Sequence, residues 1–145
     1  METNDHKSIG YLLERTTRIV KLSYSQKFNE MGFDITPEQW VILELISKKD
    51  GLYQSEIAGS SFKDAPTVSR ILDLLEKKQY VVRSKQGIDR RARLVELTEK
   101  GQELVKKIGP VADQLRDQGW KNLTDEDYKV FLKIVDQVFS NYFED

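Results

Sequence analysis

The chain has no cysteine, a single histidine, three prolines and no apolar run approaching the ~20 residues of a membrane span. Lack of cysteine excludes disulfides, zinc–thiolate sites and thiol chemistry. One histidine, His6, excludes catalytic triads and His-rich metal sites, and its position near the start makes a solvated surface residue the expected reading. No nucleophile–base pair, phosphate loop or metal-ligand cluster is present, so neither an enzyme nor a cofactor is expected. The opening METNDHKSIGYLLERTTR lacks a signal peptide's apolar core and cleavage site, so the chain is expected in the cytoplasm, away from membranes.

What remains is charge and helical pattern. At 145 residues, with 32% charged and few helix-breaking residues, the chain is expected to form one folded, mainly helical domain. Apolar residues keep helical spacing from Ile9 to Met31, and Gly32 stands where a left-handed cap is expected. Thr36-Pro37-Glu38-Gln39 is a capping box opening a second helix to about Ser47. A short helix is expected from Gln54 to about Gly59. Asp64, with Pro66 in the first turn, then starts a helix whose apolar stripe is Val68, Ile71, Leu72 and Leu75.

After Gln79 the pattern changes to two β-branched runs, YVVRS and RARLVEL, joined by Lys85-Gln86-Gly87-Ile88-Asp89: a two-stranded hairpin. Thr98 is the cap of a long fifth helix, in which Gly109-Pro110 is expected to produce a bend or local break. Thr124 opens the last helix, with acids in its first turn and an apolar face through Tyr142.

The near-neutral total conceals segregation. Residues 63–93 hold nine Lys or Arg against four acids, a net +5; the other fourteen basic and twenty acidic residues carry −6. Such a patch fits a phosphate-facing surface, and equally the solvated face of an ordinary charged protein. Position favours the first: two short helices with a polar link make a helix-turn-helix, and the basic hairpin behind it makes a wing. Pro66, Thr67, Ser69 and Arg70 then lie in the first turns of a major-groove helix, Arg70 being suited to guanine edges; the alternative for Arg70 is an ion pair with Asp73. Lys85, Asp89, Arg90, Arg91 and Arg93 belong to the wing, where an arginine at the tip can enter a narrow minor groove. Asp89 either pairs with a guanidinium to shape the tip or is a turn residue.

The run VVRS followed by DRRARLVELTEKG resembles the wing of the MarR family of bacterial transcription regulators, at Asp89, Arg91, Leu97, Thr98 and Gly101. DAPTVSRILDLLEKK is similar to that family's recognition helix, and the likeness extends over about residues 9–142. It implies a mainly α fold with a small β-hairpin wing, a single domain over residues 5–143: a winged helix-turn-helix (36–98, with the motif about 54–77 and the wing about 81–97) plus a helical dimerisation arm (8–32 and 99–143). It implies that Arg91 reaches the minor groove with Asp89 holding it. It also implies a homodimeric regulator, a ligand-responsive repressor, on pseudopalindromic double-stranded DNA.

Ile9, Leu12, Leu13, Tyr128, Phe131, Val135, Val138, Phe139 and Tyr142 are the candidate dimer contacts, although the last six fit an intrachain core as well. Tyr11, Tyr24, Phe28, Trp40 and Trp120 are candidates for a small-molecule effector pocket, against the alternative of core aromatics. Two departures stand out: Gln79 replaces the family's usual glycine, costing up to ~1 kcal/mol if the position is left-handed, and Gly109-Pro110 interrupts the fifth helix. The rival reading is a winged-helix protein-interaction module that does not read DNA.

Overall fold

The computed structural model describes residues 8–85 and 93–143, with only the backbone of Lys85. His6, Gln86, Gly87, Ile88, Asp89, Arg90 and Arg91 lie outside the described residues. The elements run α1 (Ile9–Glu30), α2 (Pro37–Ser47), β1 (Leu52–Tyr53), α3 (Gln54–Ser61), α4 (Ala65–Lys77), β2 (Val81–Lys85), β3 (Arg93–Leu97), α5 (Glu99–Gly119) and α6 (Asp125–Tyr142). Among the described residues no helix is long and apolar enough to cross a membrane. Two compact units divide the chain, Met1–Ala112 and Asp113–Asp145.

In the first unit the caps set the helix starts. Thr36 accepts from the Gln39 N–H at 3.2 Å while Gln39 Oε1 accepts from the Thr36 N–H at 3.1 Å, satisfying two amides that a helix start leaves open. At the other end of α1 a Schellman turn forms, with Gly32 at φ +73 and the Phe33 N–H donating to the Phe28 carbonyl at 2.9 Å. The Phe28 and Phe33 rings then meet edge-on at 6.2 Å, the apolar contact such a turn brings.

The core is assembled from one stripe per element: Phe28 of α1, Ile42, Leu43 and Ile46 of α2, Ile57 of α3, Val68, Leu72 and Leu75 of α4, Val81 and Val95 of the sheet, and Ile108 of α5. Each such buried side chain contributes about 1.5–3 kcal/mol.

The hairpin is part of a three-stranded antiparallel sheet of order β1-β3-β2, with Leu52 opposite Val95 and Arg83 opposite Val95 from the other side. The two-residue β1 was not expected. It is too short to carry an alternating pattern, and its pairing is made possible by Gly51, whose φ of +117 turns the chain into the sheet edge. Of the bend or local break expected at Gly109-Pro110, the break is absent: α5 is one helix with Pro110 inside it. Proline removes one backbone bond, but Ile108, Val111 and Ala112 around it are buried and hold the turn in place. Likewise α3 continues to Ser61, two residues past the expected end, and stops at Phe62 in the left-handed region.

The second unit contains the end of α5 and all of α6. Thr124 and Asp127 form the capping box of α6. Trp120 packs edge-on against Tyr128 at 5.0 Å and Phe131 at 5.7 Å. No residue of α6 is buried.

Candidate nucleic-acid interface

The helix-turn-helix is α3, the turn at Phe62-Lys63-Asp64, and α4. Phe62 adopts φ 52, ψ 40, and the Lys63 N–H donates to the Ala58 carbonyl at 3.2 Å, closing α3. Asp64 then accepts from the Thr67 N–H at 2.7 Å. That backbone bond to Thr67 pulls the Asp64 carboxyl below its ordinary range. With Val68, Ile71, Leu72 and Leu75 buried on one face of α4, Pro66 and Arg70 are left exposed and Thr67 and Ser69 half-buried on the other. All four proposed recognition-helix residues therefore reach the surface.

The alternative partner for Arg70 is already occupied. Asp73 accepts from Arg83 Nη2, and Glu76 accepts from Arg83 Nε at 3.2 Å. Burial opposes the Arg83 charge, but hydrogen bonds to Glu76 and Asp73 outweigh it and raise its pKa. Among the described residues Arg70 makes no salt bridge.

Lys78 is likewise engaged, donating to the Asp34 carbonyl at 3.1 Å and to Gln39 Oε1 at 3.3 Å. Among the described residues, two cations of the basic segment, Arg83 and Lys78, thus serve the fold. Lys63, Arg70, Lys77 and Arg93 carry no salt bridge among the described residues, and all but the half-buried Lys63 are exposed.

In the wing, Lys85 pairs with Arg93 at the end of the β2–β3 ladder; Lys85, expected to open the connection, is thus the last residue of β2, while Asp89, Arg90 and Arg91 lie outside the described residues. A cleft of about 320 Å³ separates α3 and α4 from the wing, lined by Gln54, Ser55, Ala65, Ser69, Asp73, Arg83 and Arg93. Gln54 and Ser55 were missed by sequence reasoning; their place at the start of α3, facing the first turns of α4, was the available signal.

The wing is tied to α5 by a compact lock. Gln79 is left-handed at φ 66, within a Schellman turn in which the Gln79 N–H donates to Glu76 at 2.9 Å and the Tyr80 N–H to Leu75 at 3.0 Å. The Thr98 hydroxyl donates to the Gln79 carbonyl at 2.6 Å and accepts from the Gly101 N–H at 3.0 Å. The Thr98 N–H donates to the Tyr80 carbonyl at 3.0 Å. Gly101 has room for no side chain: a Cβ there would lie 2.1 Å from the Tyr80 oxygen. Leu-Thr followed by glycine is thus a packing requirement as well as a sequence mark.

The aromatic residues considered for an effector pocket separate. Phe28 is fully buried and Trp40 is 5% exposed, both in the core, so neither offers a face to a ligand. Tyr24 is half-buried against Phe28, ring centroids 6.0 Å apart; Tyr11 is exposed; Trp120 belongs to the cluster with Tyr128 and Phe131. Of the candidate dimer residues, Ile9, Leu13, Tyr128, Phe131, Phe139 and Tyr142 are exposed, and Leu12, Val135 and Val138 half-buried. Val130, Leu132 and Ile134, not singled out from the sequence, are exposed too.

Comparison with known proteins agrees with this architecture. The model of the MarR family matches residues 35–92, the segment from α2 into the wing. The transcriptional regulator FarR of Neisseria gonorrhoeae is 30% identical over 112 residues, 77% of this chain and 75% of that protein. The chain belongs to the MarR family. MepR of S. aureus, solved as a DNA complex, is 28% identical with a TM-score of 0.84, covering 94% of this chain and 99% of that one. A mutant MarR from E. coli complexed with operator DNA is 26% identical with a TM-score of 0.71, covering 87% and 92%. The MarR-family relatives are transcriptional regulators and not enzymes, and this chain is a MarR-type winged-helix regulator.

Proposed function

We propose that this MarR-family regulator binds a pseudopalindromic DNA operator as a homodimer and represses transcription by covering its promoter. The carrying observation is Arg70: an arginine in the second turn of α4, exposed, without a salt bridge among the described residues, beside Pro66, Thr67 and Ser69. An arginine so placed is free for bidentate hydrogen bonds to a guanine edge in the major groove. Arg93 at the root of the wing is suited to a phosphate, and so is Arg90. Arg91, with Asp89 as its support, is assigned the minor groove by the family resemblance.

Dimerisation is favoured by α6. Tyr128, Phe131, Leu132 and Phe139 are exposed along one side and Val130 and Ile134 along another. A helix with apolar residues on more than one side and none buried is unfavourable as a solvated element. A second copy of the chain is the occupant a two-fold regulator supplies, and it places two α4 helices about one turn of DNA apart.

The deciding experiment selects DNA from a random duplex pool with the purified protein, alongside its mass in solution by light scattering. A two-fold symmetric site, a dimeric mass and affinity that falls steeply with salt are expected. Absence of any preferred duplex would favour the protein-interaction module, and a monomer at micromolar concentration would refute the dimer.

A further inference from the structure

The recognition helix and the wing are joined by an ion-pair fork that DNA contact leaves unused. Arg83 is the third residue of β2, and its side chain is 7% exposed, whereas Asp73 and Glu76 on α4 are 62% and 45% exposed. The two acids stand three positions apart, one turn of helix, so they are neighbours on the same surface. One planar guanidinium spans both: Nε donates to Glu76 and Nη2 to Asp73. Behind it, Arg83 is held in the sheet opposite the fully buried Val95. The same acids lie on the helix that is to meet phosphates, where an unpaired carboxylate is repelled. An apolar contact would give similar cohesion, whereas a fork with two directional bonds fixes an orientation.

We propose that Arg83 is a positioning residue for operator reading: by holding Asp73 and Glu76 together it fixes the angle between α4 and the β2–β3 wing, so that major-groove and minor-groove contacts fall in register on one site. This rests on the DNA-binding reading above. Arg83 itself is too buried to serve as a phosphate contact. Its effect therefore falls on discrimination between sequences, because random duplex is held by phosphate contacts that tolerate a shifted wing, and an operator is not.

The test uses the full-length protein, the duplex it selects, and a scrambled duplex of equal length, at one salt concentration. Three forms are compared with wild type by fluorescence anisotropy and thermal unfolding: Arg83→Lys, Arg83→Met, and the triple change Arg83→Met with Asp73→Asn and Glu76→Gln. The triple change leaves no bare carboxylate on α4. It is expected to bind the operator about 10-fold or more weakly, while its affinity for scrambled duplex stays within about 3-fold, a loss of specificity ratio that a purely structural role does not produce. Arg83→Met should lose affinity for both duplexes, more for the operator, because two uncovered acids add repulsion. Arg83→Lys, which keeps the charge without the fork, should fold and lose part of the ratio, and it decides the matter if the triple form does not fold. Wild-type operator affinity in the triple form would show that Arg83 merely neutralises the acids, and equal loss on both duplexes would show a general defect; either overturns the proposal. A wild-type protein with no preferred duplex refutes the DNA-binding reading itself and takes this proposal with it.

Discussion

Replacing Gly101 by alanine adds one methyl group at the most crowded point of the chain. The new Cβ would stand 2.1 Å from the Tyr80 carbonyl oxygen and 3.0 Å from its carbon, against about 3.3 Å for a close carbon–oxygen contact. The obstacle is backbone, so no rotamer change relieves it. Either α5 retreats by roughly 1 Å or the turn at Tyr80 does, and both movements stretch the Thr98 N–H bond to the Tyr80 carbonyl, 3.0 Å in the native state.

Overpacking of this kind costs about 1–3 kcal/mol, and a lost hydrogen bond about 1 kcal/mol more. Alanine's better helix propensity returns up to about 1 kcal/mol. A net loss of about 2–3 kcal/mol is expected, or roughly 5–10 °C in Tm for a chain of this size. Urea and thermal unfolding at one fixed protein concentration measure it, since a dimer's stability depends on concentration. Gly59→Ala is the control: Gly59 lies inside α3 with nothing within 4 Å of an added Cβ, so it should gain up to about 1 kcal/mol. A Gly101→Ala protein as stable as wild type, or shifted upward like Gly59→Ala, would refute the close-approach argument and with it the physical account of the Leu-Thr-glycine pattern.

Three further outcomes are expected. Gln79→Gly should stabilise by up to about 1 kcal/mol, because a side chain at φ 66 is relieved while the carbonyl that accepts from Thr98 is kept; a lower Tm would contradict it. Arg70→Ala should leave Tm within about 1 °C and weaken operator binding by roughly 10- to 100-fold, and an unchanged affinity would remove Arg70 from the interface. Asp64, whose carboxyl is held below its ordinary range by the Thr67 N–H, should make wild type more stable than Asp64→Asn at neutral pH. Because the folded pKa is the depressed one, this advantage is present above the unfolded value near ~3.9 and is lost as pH falls through the lower folded value. Urea unfolding from pH 7 down to pH 3 checks it, and an advantage that grows on acidification would be the wrong sign.

Local rules were legible and long-range pairings were not. Thr36, Asp64 and Thr124 could be read as helix caps because a cap depends on residues within three positions, and each makes its expected bond. Gly32 and Gln79 are both left-handed for the same local reason, a Schellman turn, although only one of them is a glycine. By contrast β1 is two residues long and owes its existence to β3, over forty residues later. The persistence of α5 through Pro110 depends on burial that a local rule about proline does not contain. Phe28 and Trp40 could be read as pocket or as core aromatics, because composition cannot tell a ring that lines a cavity from one that fills it; both are core.

The same distinction governs the charge. Counting from Lys63 to Arg93 marks a basic segment, but a count treats each cation alike, and the fold does not. Arg83 faces inward because, two residues after the buried Val81 on an alternating strand, it shares that residue's face; Asp73 and Glu76 on the preceding helix then meet it. Lys78 turns back to Asp34 and the capping Gln39. Pairing an acid and a base leaves the net charge of the segment nearly unchanged while lowering the number of cations that can displace counterions from DNA. On the DNA-binding reading proposed above, net charge marks the surface expected to face the nucleic acid, and geometry decides which of its arginines and lysines are left to hold phosphate or read bases and which are engaged in holding the elements in place.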